Sequence, residues 1–424
     1  MKDNIVFWNP WWTESDYSFD LKNRDIFNSL DNYLNRKEII FFTGVRRSGK
    51  TSTIYYLIKQ LLAKVDPENV LYLNMDDNVL SNSNLDDIYS TCKELTFETE
   101  GKKYIFLDEI QNMDGWERWV KKMYDSFEDV KFVITGSKSS ALKKQSTLLT
   151  GRILEFEIYP LSFQEFLDFN NIKYKNQISY IKNYLKIKKL FYEFIKFGGF
   201  PEVVMEKNEH IKRLLTKEYY DNIKNKDIIV YFNIKQAKKF DRLSLYLISN
   251  IAKQMSANKL GAIVDLSPSV INNYIDFAEM MYLFFPLQHF NYSLKGQMTK
   301  PRKIYSIDTG MVNSIAFQFS ENIGRFIENI VGLELKRKGM EIYYYNNRYE
   351  CDFIIKKGLN IVEAIQVCYN LTDDNLKREE NGLLEAMKHF RLKTGKIIVL
   401  EKCEVSVKNN IKVISIIDWL LNIN

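Results

Sequence analysis

One eight-residue run restricts this 424-residue chain more than any other: Gly44-Val45-Arg46-Arg47-Ser48-Gly49-Lys50-Thr51. It has the spacing G-x-x-x-x-G-K-[ST], and its flanks are those the spacing needs to carry meaning. The apolar stretch Glu38-Ile39-Ile40-Phe41-Phe42-Thr43 ahead of it reads as a strand. Residues 51–64 follow with Ile54, Leu57, Ile58, Leu61 and Leu62 at helical spacing. A glycine turn between a strand and a helix N-terminus points backbone N–H groups and the positive end of the helix dipole into one loop, which suits phosphate. A chance glycine-lysine loop would lack both flanks. The expected cradle is Gly44, Val45, Arg46, Arg47, Ser48, Gly49, Lys50, Thr51 and Ser52 around a nucleoside triphosphate. Lys50 is expected at the outer phosphates and the Thr51 hydroxyl on Mg²⁺.

A second run extends nucleotide binding to hydrolysis. Lys103-Tyr104-Ile105-Phe106-Leu107-Asp108-Glu109 is an apolar strand ending in two carboxylates. Asp108 suits the metal's water shell, and Glu109 suits orienting and deprotonating an attacking water. Phosphoryl transfer needs charge neutralisation and an aligned nucleophile, which such a pair supplies. A strand that merely ends at a charged turn is the plain alternative. The next strand, Lys131-Phe132-Val133-Ile134-Thr135-Gly136-Ser137, ends in hydroxyls. Ser137 first, and Thr135 second, is a candidate to polarise the water or touch the γ-phosphate, against a turn that satisfies its own backbone. Arg152, in Leu148-Leu149-Thr150-Gly151-Arg152, is a candidate arginine finger or else a surface ion-pair residue.

Composition narrows the class. At this length two to four domains are expected. Hydrophobic content of 46% and 7 prolines speak against disorder and long proline-rich linkers. Cys92, Cys351, Cys368 and Cys403 form no C-x-x-C pair, and His210, His289 and His389 are far apart, so neither a zinc site nor a disulfide framework is expected. No signal-peptide pattern opens the chain, and no uncharged apolar run nears the roughly 20 residues of a membrane helix. The expected setting is a reducing cytoplasm, with no membrane. A net charge of +6 permits nucleic-acid contact without demanding it.

Along the chain, five regions are expected: a lead segment (1–30), a nucleotide-binding domain (31–162), a helical region (163–235), a winged-helix-like domain (236–315) and a small α/β domain (316–424). The third is charged and rich in Tyr, Phe and Ile at helical spacing, with a turn at Phe197-Gly198-Gly199-Phe200-Pro201-Glu202. In the fourth, Ser267 or Ser269 would cap a helix whose Val270, Tyr274 and Phe277 face inward. Two strand-like runs follow, joined by the segment 291–302 as a wing. Lys295, Lys300, Arg302 and Lys303 there are placed to meet phosphates. The second helix offers Asn272, Asn273 and Asp276 but no arginine, so protein interaction is as open as DNA reading.

With these residues laid out, the chain resembles prokaryotic AAA-type ATP-binding proteins with a C-terminal domain of unknown function. The resemblance rests on Asn9-Pro10-Trp11-Trp12, the double-arginine loop through Thr51, Leu107-Asp108-Glu109-Ile110-Gln111 and Ile134-Thr135-Gly136-Ser137. It continues through Gly151-Arg152, Pro160-Leu161-Ser162-Phe163-Gln164-Glu165-Phe166, Gly198-Gly199-Phe200-Pro201-Glu202 and Phe326-Ile327-Glu328-Asn329. It implies an α/β P-loop core in which a third strand separates the two motif strands, and ATP rather than GTP as the nucleotide. It also implies that the last region is similar to PD-(D/E)xK nucleases, a restriction-endonuclease-like α/β fold. Glu328 then matches the helix acid and Asp352 the hairpin Asp, but Gln366 stands at the Glu and Cys368 at the Lys. A glutamine cannot give the second charge on Mg²⁺, and a neutral thiol cannot replace an ammonium. Glu363 lies an odd number of residues from Gln366, on the other face of the strand.

Three functions follow as expectations. The first is a Mg²⁺-dependent ATPase whose turnover drives or times a conformational switch, with the later domains reading DNA or a protein. The second is an ATP-gated nuclease, and the third a nucleotide-dependent nucleic-acid-binding module with little turnover.

Overall fold

The computed structural model describes residues 1–14, 16–96, 100–136, 146–174, 176–316, 323–402, 406–408 and 410–423. They form two compact units, Met1–Tyr159 and Pro160–Asn424.

In the first unit, β1 (Ile39–Thr43), β2 (Val70–Asn74), β3 (Lys103–Asp108), β4 (Val130–Gly136) and β5 (Ile153–Glu157) make one sheet in the order β2-β3-β4-β1-β5. Every neighbouring pair is parallel, and β4 lies between β1 and β3. Side chains alternate across the sheet as the two-residue period requires. Ile39 and Phe41 join a layer with Trp116 and Trp119 from the helix Trp116–Ser126. Ile40 and Phe42 join the opposite layer, with Leu30 of the helix Phe27–Leu34 and Ile54 and Leu57 of the helix Lys50–Leu62. Burial on both faces is why these strands read as unbroken apolar runs. Each fully buried side chain of this size contributes about 1.5–3 kcal/mol.

Strand β2 is an edge, and the N-terminal segment closes it. Asn9, fully buried, accepts from the Tyr72 N–H at 2.7 Å and donates to the Tyr72 carbonyl at 2.8 Å. Trp11 and Trp12 donate their indole N–H groups to the Val70 carbonyl at 3.0 and 3.1 Å. The Asn-Pro-Trp-Trp run thus replaces the missing neighbour strand with side chains, satisfying groups that would otherwise template a foreign strand. Asn9→Ala leaves two buried backbone groups without partners and should cost about 2–4 kcal/mol in urea unfolding. An unchanged midpoint would mean that the edge is satisfied in another way.

The second unit opens with the helices Phe163–Phe169, Gln177–Phe197, Pro201–Met205 and Glu209–Asn222, continuing into a π-helical stretch, Ile223–Val230. Ser162 and Glu165 cap the first reciprocally, at 3.1 and 2.9 Å, which accounts for the Pro-Leu-Ser-Phe run as a helix start. The Gly198-Gly199 turn sits on Asp308. Its carboxylate accepts the Gly199 N–H at 2.7 Å, and a Cβ on Gly198 (φ +78°) would lie 2.0 Å from its oxygen. Only glycine fits there.

Next come the helix Ala237–Ser249, β6 (Gln254–Met255), the helices Ala257–Val264 and Pro268–Met280, β7 (Phe284–Leu287), the short helix Leu294–Thr299 and β8 (Arg302–Ser306). The three strands pair antiparallel in the order β6-β8-β7. Ser267 caps the helix Pro268–Met280 by accepting from Val270 N–H at 3.4 Å. Tyr274 of that helix is buried as expected. Val270 and Phe277 are half-buried, and Ile271 and Ile275 take the interior instead. Segment 291–302, the expected wing, carries the helix Leu294–Thr299. One expectation about it is corrected: Lys303 is not on the surface, its side chain being 1% exposed.

The helix Ile323–Arg337 then packs on a five-stranded sheet of β9 (Glu341–Asn346), β10 (Glu350–Lys357), β11 (Asn360–Cys368), β12 (Gly395–Val399) and β13 (Ile411–Ser415), in the order β13-β12-β11-β10-β9. β9, β10 and β11 are antiparallel neighbours, whereas β11, β12 and β13 run parallel. The helix Asp373–Phe390 makes the crossover from β11 to β12. Among the described residues no helix is long and apolar enough to cross a membrane.

Candidate functional site

Three strand ends of the first unit, those of β1, β3 and β4, converge on one polar cluster. The loop after β1 turns sharply because Gly44 (φ +144°) runs against the chain leaving β5; a Cβ there would stand 2.2 Å from the Ile158 carbonyl oxygen. Arg24 props the loop from outside, donating to the carbonyls of Ser48 and Tyr159, each at 3.0 Å. Lys50, 3% exposed, donates to the carbonyls of Gly44 (3.2 Å) and Val45 (3.3 Å) and lies 3.6 Å from a Glu109 carboxylate oxygen.

Asp108 is the hub. Thr51 donates to it at 2.7 Å and Tyr72 at 2.9 Å, and Thr135 donates to its other oxygen. Thr135 also accepts the Glu109 N–H at 2.9 Å, fixing Glu109 in a left-handed backbone conformation (φ +52°). Gln111 donates to Glu109 at 2.5 Å. Burial and the neighbouring Glu109 charge push the Asp108 carboxyl up. Burial also works to raise Glu109, but Lys50, the Gln111 amide and Arg46 together outweigh it and hold Glu109 below the usual range. The two adjacent acids are therefore driven apart in proton affinity, with the charge favoured on the one nearest Lys50.

Lys50, Thr51, Asp108 and Glu109 are thus brought together. Ser48 is fully buried in the loop, Val45 is buried, and Arg47 is exposed at φ +68°. Ser137 lies outside the described residues. Thr135, the second choice, touches both acids. Arg152 is not brought to the cluster. Its carbonyl accepts the Ile39 N–H at 2.7 Å, at the start of β1 rather than at the end from which the loop departs. Its guanidinium pairs with Asp125 at 3.0 and 3.3 Å and lies over the Tyr124 ring. Tyr72 and Arg24 were missed in the sequence. Tyr72 sits inside an ordinary apolar strand, and only the pairing of β2 with β3 brings it to Asp108.

A second polar cluster lies in the second unit. The Lys303 ammonium, carried by β8, meets Glu328 at 2.8 Å, Glu350 at 2.5 Å and Asp352 at 2.8 Å. Tyr305 adds a hydrogen bond to Glu328 at 2.8 Å. Burial opposes the charge on Lys303, but the acids' attraction holds it well above its ordinary range. Burial and the Asp352 charge push Glu328 up to about 8. Gln366 donates to Glu379 at 2.8 Å, and Cys368 is buried. Glu363 pairs with Lys396.

Residues 36–167 match the family described as an AAA domain, and residues 188–322 match one described as a domain of unknown function. The uncharacterized protein MJ1544 of Methanocaldococcus jannaschii is 37% identical over 381 residues, covering 87% of this chain and 82% of that protein. The chain belongs to this family of AAA-domain proteins. An uncharacterized protein of Haemophilus influenzae is 30% identical over 414 residues, 93% of this chain and 98% of its own. Among solved structures, the Walker-type ATPase of Pyrococcus abyssi aligns at a TM-score of 0.45 and 12% identity, over 70% of this chain and 96% of that one.

The Lys303 cluster yields a stability test. Lys303→Met strands three carboxylates around an apolar side chain, and should cost about 3–5 kcal/mol in denaturant unfolding. Full stability in that variant would show that the acids do not need the ammonium.

Proposed function

We propose that this AAA-domain protein binds ATP with Mg²⁺ and hydrolyses it, using turnover to drive or time a conformational switch. The observation that carries this reading is the direct Thr51–Asp108 contact beside the Lys50–Glu109 pair. The donor set fits the metal: a hydroxyl and a carboxylate are hard oxygen ligands of the kind Mg²⁺ takes together with water and phosphate. The glycine turn and the N-terminus of the helix Lys50–Leu62 fit the phosphates.

Bound there, Mg²⁺ would neutralise charge building on the transferring phosphoryl group. The protein's own residues divide the remaining work. The loop's backbone N–H groups orient the phosphates, and Lys50 leaves the carbonyls of Gly44 and Val45 to reach the outer ones. Glu109, held ionised, takes the proton of the attacking water. Thr135, the second choice after Ser137, steadies both acids. Gln111 holds Glu109 through its amide, so it governs whether that carboxylate is free to face a water.

In the second unit, the order helix, strand, two helices, strand, short helix, strand with a β6-β8-β7 sheet supports the winged-helix reading. A helix followed by an antiparallel hairpin and a parallel crossover supports a nuclease-like ancestry for the last region. The buried Lys303 ammonium among Glu328, Glu350 and Asp352 speaks against a cation there, and so for a reader rather than a nuclease.

Lys50→Ala should abolish ATP hydrolysis. Glu109→Gln should still bind ATP but turn over about 10²-fold or more slowly. Equal rates for Glu109→Gln and the unaltered protein would leave the binding module with little turnover as the better reading.

A further inference from the structure

The second unit presents an exposed surface built from two separate segments. After β7, Tyr292, Leu294 and Met298 are 77%, 76% and 74% exposed, and Leu294 and Met298 share one face of the short helix Leu294–Thr299. Lys295 and Lys300 flank them in the open. At the end of the helix Asp373–Phe390 and in the turn beyond it, Lys388, His389, Arg391 and Lys393 are exposed as well. The two segments touch. The Tyr292 and His389 rings lie 6.2 Å apart, and Phe290 packs edge-on against Phe390 at 5.1 Å.

Cations outnumber acids on this surface. The sequence has no Asp or Glu over 280–303 or 386–400. Glu385 is half-buried and turned to the backbone N–H groups of Arg348 and Tyr349, and Asp276 pairs with Arg302. Among the described residues none of Lys295, Lys300, Lys388, Arg391 and Lys393 forms an ion pair. Five free cations beside three protruding apolar side chains call for an occupant that brings both closely spaced anions and apolar faces.

We propose that this composite surface binds duplex DNA, with the five cations on backbone phosphates and the Tyr292–Leu294–Met298 prominence wedged against a base step of the minor groove. Phosphates supply the anions, and apolar side chains beside lysines are the means by which proteins open a base step. One aromatic ring and two aliphatic tips suit a wedge better than a row of stacked single-stranded bases. The helix, six residues long, is too short to lie along a lipid surface. This assignment names the partner for the reader role proposed above and does not depend on ATP turnover.

The test uses the full chain without nucleotide, a fluorescent 30-base-pair duplex and anisotropy between 50 and 200 mM salt. Five phosphate contacts predict a log–log slope near −4.5, roughly a 500-fold loss of affinity across that range. Replacing Lys388, Arg391 and Lys393 together with Ala should flatten the slope by about 3. Replacing Tyr292, Leu294 and Met298 with Ala should weaken binding at least about tenfold with the slope unchanged. Both variants should keep basal ATP hydrolysis. Absence of duplex binding, or a slope insensitive to the cation variant, overturns the proposal. So does tighter binding to the matching single strand or to phosphatidylserine vesicles. A protein that binds duplex through this surface but does not hydrolyse ATP would retain the proposal and refute the ATPase reading.

Discussion

Two carboxylates placed side by side at the end of a buried strand are the constraint around which the first unit is built. Asp108 and Glu109 cannot both be ionised in that setting unless donors and a cation meet them. The structure supplies these from elements distant in sequence: Thr51 and Lys50 from the loop and helix after β1, Tyr72 from β2, Thr135 from β4. The strand order β2-β3-β4-β1 is what brings those donors to one place. The same contacts that satisfy the acids are the ones phosphates and Mg²⁺ would take over. On the function proposed above, ligand binding would exchange one set of partners for another.

The second unit meets the same electrostatic problem with a different solution. Buried Asp352 and the largely buried Glu328 converge with the half-exposed Glu350, and β8 sends Lys303 into their midst. An ammonium there ties β8, the helix Ile323–Arg337 and β10 together through one charge.

The parts of this architecture that were legible in the sequence were those with local rules. Apolar strands buried on both faces, a glycine loop and a helix start at Ser162 each leave a pattern within a few residues. Side chains that act across the fold leave none. Asn9 looks like an ordinary polar residue until it is seen paired with the edge of β2. Tyr72 reads as one more apolar strand residue. Arg152 follows a glycine in a motif-like run, yet the parallel register with β1 puts it at the wrong end of the strand. Lys303 read as one of four basic residues in a wing, because nothing local to 295–303 announces three acids that arrive from 25 to 49 residues later.

The central claim is that Thr51 and Asp108 form a cation site completed by a nucleotide, and calorimetric titration of ATP with and without Mg²⁺ tests it most directly. The account predicts that Mg²⁺ tightens ATP binding by about 1.4 kcal/mol or more, tenfold, in the unaltered protein and not in Thr51→Ala. Equal affinity in Mg²⁺ and in chelator would contradict it.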